Sequence, residues 1–248
     1  MIRAPAWLTA RPIAHRGLHD RAAGIVENMP AAMHAAIAGH YAIETDVQLT
    51  ADHEAMVHHD DALGRLNDGD SALTDLTSAQ LKQVRFKDTP ERMMTLGDLC
   101  DLVDGRVPLV VELKSHFDGD VSIVDRIATV LTTYRGPIAL MSFDPDMVEA
   151  VRIRMPDVTR GIIAESDYGE ANWPTLTEVQ RHDMTALRHV TRTEPHFVSY
   201  NVNDLPADDA LDAKRNGCAL ITWTVRTERQ RMISERYADQ MTFEGFRP

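Results

Sequence analysis

Two carboxylates stand two residues apart in the segment IETDVQLTADHEAMVHHDDAL at 43–63: Glu44 and Asp46. On a strand, alternate side chains share a face. Two neighbouring anions repel unless a cation or hydrogen-bond donors lie between them. The run VPLVVELK at 107–114 places Glu112 and Lys114 two apart among apolar residues. Charges in such a run cost several kcal/mol each unless they are paired or bound to a metal. Two further groups could join them, His15-Arg16-Gly17 and His58-His59-Asp60-Asp61. Three hard oxygen ligands suit Mg²⁺ or Ca²⁺ better than zinc. The planar fork of Arg16 matches a phosphate oxygen pair. Two histidines supply a base and an acid on opposite sides of a phosphorus atom. A divalent cation, an arginine and two histidines together describe phosphodiester cleavage.

Each residue has a plainer reading when taken alone. His15 would be a satisfied structural histidine at a strand end, and Arg16 a surface charge. Glu44 and Asp46 would lie on a solvated edge. Glu112 and Lys114 would pair with each other across one face. The combination is what points to chemistry.

These residues need elements that bring them together. Short apolar or β-branched runs predict eight strands, at Pro12–His15, Ala42–Val47, Leu109–Lys114, Ile138–Phe143, Arg160–Glu165, Phe197–Tyr200, Ala219–Val225 and Gln240–Glu244. Helical patterns at Met29–Ala38, Val121–Thr133, Asp146–Met155, Ala207–Arg215 and Arg226–Glu235 separate most of them. Alternating strands and helices imply parallel pairing with right-handed crossovers. Eight such units in 248 residues match a TIM (β/α)8 barrel. A doubly wound open sheet is the alternative. In a barrel the carboxyl ends of the strands converge on one face, and His15, Arg16, Glu44, Asp46, Glu112 and Lys114 would meet there, with His59 arriving from a following loop. The expected organisation is a single domain over 1–248. A short strand at Ala55–His58 and a mostly polar stretch interrupt the rhythm, and are read as a cap segment of about 63–104 inserted after the second strand, with helical patterns near Ser78–Val84 and Thr95–Val103.

The totals exclude several classes. Charged residues make up 26% and hydrophobic ones 44%, as in an ordinary globular protein. A formal net charge of −12 argues against a nucleic-acid partner. No apolar run reaches the roughly 20 residues of a membrane-spanning helix, and the start lacks a continuous apolar signal core. The two distant cysteines, Cys100 and Cys218, read as buried thiols. A cytoplasmic protein without stable membrane insertion is expected.

The motifs, taken in order, resemble the glycerophosphodiester phosphodiesterase family. They are IAHRG at 13–17, ENMPAAMHAAIAGH at 27–40, the 43–63 segment, LVVELK at 109–114, MSFDPDMVEAVRIRMPD at 141–157 and ITWTV at 221–225. The resemblance covers nearly the whole chain. It implies a TIM barrel with an inserted cap and a metal-dependent hydrolase that converts a small-molecule glycerophosphodiester to glycerol 3-phosphate and an alcohol. It implies one divalent cation, Mg²⁺ or Ca²⁺, on Glu44, Asp46 and Glu112. It implies His15 and His59 as the acid/base pair, Arg16 as the phosphate clamp and Lys114 as an assistant at the phosphate. His58 is read as a neighbour of the working histidine. Asn28 is expected to cap the following helix and Glu27 to brace the site. Trp223 and Phe243 are expected at the substrate. One stretch departs from the family pattern, because Phe243-Glu244 replaces a Thr-Asp pair. Rival readings are phospholipase-like cleavage of a related lipid, a non-catalytic barrel binding phosphorylated ligands, and a Schiff-base lyase using Lys114.

Overall fold

The structure is a computed structural model that describes residues 3–248. Its strands are β1 (Ile13–Ala14), β2 (Ala42–Leu49), β3 (Ala55–Val57), β4 (Leu109–Leu113), β5 (Ile138–Ser142), β6 (Thr159–Ala164), β7 (Phe197–Asn201), β8 (Ala219–Val225) and β9 (Gln240–Phe243). The hydrogen-bonded order is β1-β9-β8-β7-β6-β5-β4-β2-β3, and β1 also pairs with β2. That last pairing closes the sheet, which excludes the open doubly wound alternative. The fold is a TIM barrel of parallel strands, with β3 as an extra antiparallel strand on β2.

The residues fall into two compact units. One comprises Ala14–Lys114 and Val121–Ile138. Its helices are α1 (Pro30–Ala38), α2 (Ser78–Leu81), α3 (Leu96–Val103) and α4 (Ser122–Leu131). Proline at the first turn of α1 suits a position whose N–H has no helical partner. Thr77 and Thr95 open α2 and α3 with reciprocal capping boxes. The parallel register of β2 on β4 sets Asp46 opposite Glu112.

The inserted segment is not the mostly polar stretch expected from its composition. It buries Leu66, Leu73, Leu81, Phe86 and Met93 in one apolar cluster with Val26, Met29 and Met56. Burying each such side chain contributes roughly 1.5–3 kcal/mol, so the segment is held as a packed layer rather than a loose loop.

The other unit comprises Ser115–Asp120, Ala139–Pro248 and the amino-terminal residues up to Ile13. Its helices are α5 (Pro145–Arg154), α6 (Glu178–Thr185), α7 (Val190–Thr193), α8 (Asp208–Arg215) and α9 (Glu228–Tyr237). Asp144 caps α5, accepting from the Asp146 N–H at 2.8 Å. Ile162, Val198, Tyr200 and Leu220 from the strands pack with Val148, Ala210 and Ala213 from the helices. Helices α6 and α7 are additions to the sequence expectation. Only Met184 of α6 is buried, so that helix has no apolar stripe to betray it.

Candidate active site

The site is built within the first unit. Strand β1 ends at Ala14, and the chain then turns sharply through left-handed backbone at Arg16 (φ 54°) and Gly17 (φ 79°). A Cβ at Gly17 would lie 2.9 Å from the main-chain carbon of Ala32, so only glycine fits beside α1. The turn aims the Arg16 N–H at Glu44 Oε2, 3.0 Å away. The His15 imidazole lies on the same carboxylate, with Nε2 at 3.9 Å from Oε2.

Strand β2 presents Glu44 and Asp46 on one face, and its neighbour β4 adds Glu112. One oxygen from each of Glu44, Asp46 and Glu112 falls within 4.8 Å of the others, and all three residues are buried. Burial, reinforced by the Asp46 and Glu112 charges, pushes the Glu44 carboxyl well above the usual range. Burial acts in the same direction on Asp46, but Lys114 and Arg16 outweigh it and hold that carboxyl far below the usual range. Lys114 Nζ sits 3.0 Å from Asp46 Oδ1 and 2.8 Å from Glu112 Oε1. Burial opposes its charge, yet the two carboxylates raise its pKa.

Asn28 does not cap α1. Met29 occupies the cap position, without a side-chain hydrogen bond. Asn28 instead adopts left-handed backbone (φ 58°), accepts from Thr45 Oγ1 at 2.8 Å and donates Nδ2 to Asp46 Oδ2 at 2.9 Å. It therefore orients a carboxylate. Glu27 braces the site as expected, accepting from Arg16 Nη1 at 2.6 Å. Burial would raise the Glu27 carboxyl, but hydrogen bonds from Arg65 and Arg16 pull it down to about 2.

The two adjacent histidines differ in kind. The His58 ring is buried edge-on to Phe86, and burial lowers its pKa to about 4. His59 keeps a third of its side chain exposed and places Nδ1 2.8 Å from Asp60 Oδ1. Asp60 in turn accepts from Arg65 Nε at 2.6 Å. Gln48 holds the loop from below. Its buried Nε2 lies 3.2, 3.0 and 2.6 Å from the carbonyl oxygens of His58, His59 and Asp60. Gln48 was legible in principle, because it continues the two-residue register of Glu44 and Asp46. Arg65 carried no such signal.

Trp223 and Phe243 belong to the second unit. Trp223 is half-buried and donates Nε1 to the Ser199 carbonyl at 2.9 Å. Phe243 is buried, its ring 5.5 Å from that of Phe246, while Glu244 binds Arg226 Nη2 at 2.8 Å.

The profile of the Glycerophosphoryl diester phosphodiesterase family matches residues 15–245. The chain belongs to the glycerophosphoryl diester phosphodiesterase family. A glycerophosphodiester phosphodiesterase of Caldanaerobacter subterraneus is 26% identical over 233 residues, which span 89% of this chain and 88% of that protein. A phosphodiesterase of Oleispira antarctica, solved with the product sn-glycerol-3-phosphate, superposes with a TM-score of 0.78 at 20% identity, covering 95% of this chain and 94% of that one. The glycerophosphodiester phosphodiesterase of Thermotoga maritima gives a TM-score of 0.69 at 20% identity over 93% and 92% of the two chains. The chain is thus an enzyme of the phosphodiesterase class by family, on a fold shared with those solved structures.

Proposed function

We propose that the enzyme hydrolyses glycerophosphodiesters to glycerol 3-phosphate and an alcohol, using one divalent cation, Mg²⁺ or Ca²⁺, held by Glu44, Asp46 and Glu112. The observation that carries this reading is the convergence of three buried carboxylates within 4.8 Å. The charge of the surrounding network fits a divalent ion. With every carboxylate ionised, the state a cation beside Glu44 would favour, and the histidines neutral, Glu27, Glu44, Asp46, Asp60 and Glu112 face Arg16, Arg65 and Lys114, five carboxylates against three cations, which leaves −2. Oxygen donors without thiolates suit Mg²⁺ or Ca²⁺. When bound, the cation supplies Lewis-acid stabilisation to a phosphate oxygen.

The chain's own residues do the rest. Arg16, anchored by Glu27, offers its guanidinium to phosphate oxygens, and Lys114 adds a second positive charge. His15 and His59 act as the acid/base pair, one activating the attacking oxygen and the other protonating the departing alcohol. Asp60 keeps the His59 ring oriented through Nδ1, which leaves Nε2 for proton transfer. Trp223 is proposed to contribute to recognition of the alcohol, with the buried Phe243 acting only indirectly. The inserted segment governs substrate choice, and Arg65 ties it to the catalytic groups.

The test is a screen of glycerophosphodiesters with and without EDTA. Release of glycerol 3-phosphate that stops with EDTA and returns with Mg²⁺ or Ca²⁺ is expected. Full activity in excess EDTA, or no hydrolysis of any glycerophosphodiester with either metal, overturns the reading. A transient cyclic phosphate seen by phosphorus NMR would identify the substrate's own hydroxyl as the nucleophile.

A further inference from the structure

His59 is carried by a loop, and something must hold that loop still. Residues 58–60 leave β3, which lies antiparallel on β2 with Met56 opposite Gln48. Gln48 is only 3% exposed. Its Nε2 lies 2.6 Å from the carbonyl oxygen of Asp60, 3.0 Å from that of His59 and 3.2 Å from that of His58. A primary carboxamide has two N–H bonds, so the three acceptors share two hydrogens. Among the described residues this nitrogen is the donor common to all three carbonyls.

The His59 ring has its own partner, with Nδ1 2.8 Å from Asp60 Oδ1. That bond joins neighbours in sequence. It orients the ring within the loop and leaves the loop free to travel as one piece. Placing the loop against Glu44 and Asp46 takes a tie from another element. The His58 N–H reaches the Asp46 carbonyl oxygen at 3.1 Å, but it acts ahead of His59. Arg65 binds the Asp60 carboxylate through a side chain 44% exposed, where water competes. Gln48 is the buried side-chain tie. The His58 and His59 carbonyls belong to the two planar peptide groups that flank the His59 α-carbon. One nitrogen thus restrains the backbone on both sides of the candidate proton-transfer residue. That nitrogen stands on a strand, and strands hold a group more precisely than loops do.

From this geometry we infer that Gln48 is a positioning residue for the His59 imidazole, lending the rigidity of β2 to a group borne on a loop. The inference rests on the acid/base role proposed for His59. A carboxamide has no proton to exchange in the reaction, so its contribution is geometric. It acts on the group that moves a proton and not on Arg16 or Lys114, which hold the phosphate in the proposed function. Its loss should therefore fall on kcat rather than KM.

The test is a double-mutant cycle with His59, run on the glycerophosphodiester that the wild type hydrolyses fastest. Q48M keeps the length of the side chain without its donors, and Q48A leaves room for water at the carbonyls. Thermal unfolding verifies that each variant folds. Each should lower kcat roughly 10-fold or more, the scale of a misplaced reacting group. KM should stay within about 2-fold of the wild type. Q48M-H59A should turn over no more slowly than H59A alone, because residues that act through one group do not add. Wild-type kcat in folded Q48M and Q48A, or losses that multiply in the double variant, overturns the inference and leaves the proposed function standing. Histidine ring signals in nitrogen-15 NMR give a second readout that needs no turnover. The His59 signals, assigned by their absence in H59A, should shift in Q48M while those of His15 stay. If no diester is hydrolysed, or H59A keeps wild-type kcat, the proposed role of His59 falls. An unmoved His59 ring in Q48M then overturns the positioning as well, and a displaced ring upholds it.

Discussion

Arg65 reaches Glu27 across 38 residues of sequence, with Nη2 2.7 Å from Oε1. The same guanidinium binds Asp60, which holds His59, while Glu27 holds Arg16. One residue of the inserted segment therefore sits between the supports of a candidate acid/base histidine and of the candidate phosphate clamp. Isolated exposed ion pairs contribute little, but a shared arginine in a network restricts several groups together. R65A is expected to fold and to lose roughly 10-fold in kcat/KM, the scale of a modest misplacement of reacting groups. R65K should recover part of the loss. Steady-state kinetics of both variants on one glycerophosphodiester decide the matter, and wild-type kcat/KM in R65A would reduce the network to surface bracing.

The histidines should separate cleanly. His15→Ala and His59→Ala are each expected to lower kcat by roughly 100-fold or more, the usual worth of general acid/base catalysis. His58→Ala should instead act on stability, since its ring packs on Phe86 rather than facing solvent. Denaturant midpoints and kcat measured side by side would expose an error, which would take the form of equal kcat losses at His58 and His59.

Stability should fall between pH 6.5 and pH 4 in a manner traceable to His58. Its folded pKa is lowered from 6.5 to about 4 by burial. The unfolded chain takes up the proton first as pH falls, so this contribution is complete above pH 6.5 and is lost progressively down to the folded pKa. A difference of that size corresponds to about 3 kcal/mol at the acid end. Glu27 and Asp60, both held at about 2, add losses of the same sign at lower pH. Urea unfolding at pH 7 and pH 5 should show the decline in the wild type and a smaller one in His58→Leu. Parallel declines would assign it elsewhere.

Removing the cation should lower thermal stability as well as activity. A ligand that binds only the folded state stabilises it by about 2.7 kcal/mol at 100 times its Kd. Mg²⁺ or Ca²⁺ titrated into EDTA-treated protein should raise Tm, and E44Q-D46N should abolish the rise. An identical Tm rise in that double variant would place the binding elsewhere.

The strands were readable because period-two alternation and apolar runs survive in the sequence, and Glu44, Asp46 and Glu112 were readable because charges interrupt those runs. Barrel closure was not readable, since it depends on β1 meeting β2, a pairing no local pattern encodes. Helix α6 escaped notice because it is polar almost all round. The supports of the site escaped for a different reason. Glu27 was expected to brace the site, but its link to Asp60 runs through Arg65, a side chain distant from Glu27 in sequence. The cap expected of Asn28 failed because Asn28 itself takes left-handed backbone one residue before the cap position, which Met29 fills.

Glu44, Asp46 and Gln48 mark off β2 like graduations on a ruler, two for the acidic cluster and one for the histidine loop. A slip of one residue along β2 would send all three to the opposite face together. The antiparallel clip of β3, which matches Val47 with Val57 and Leu49 with Ala55, guards against that slip. Single-residue insertions or deletions in β2 are therefore a class of lesion distinct from substitutions. They would leave strand content intact while dispersing the carboxylate cluster and releasing the His59 loop in one event.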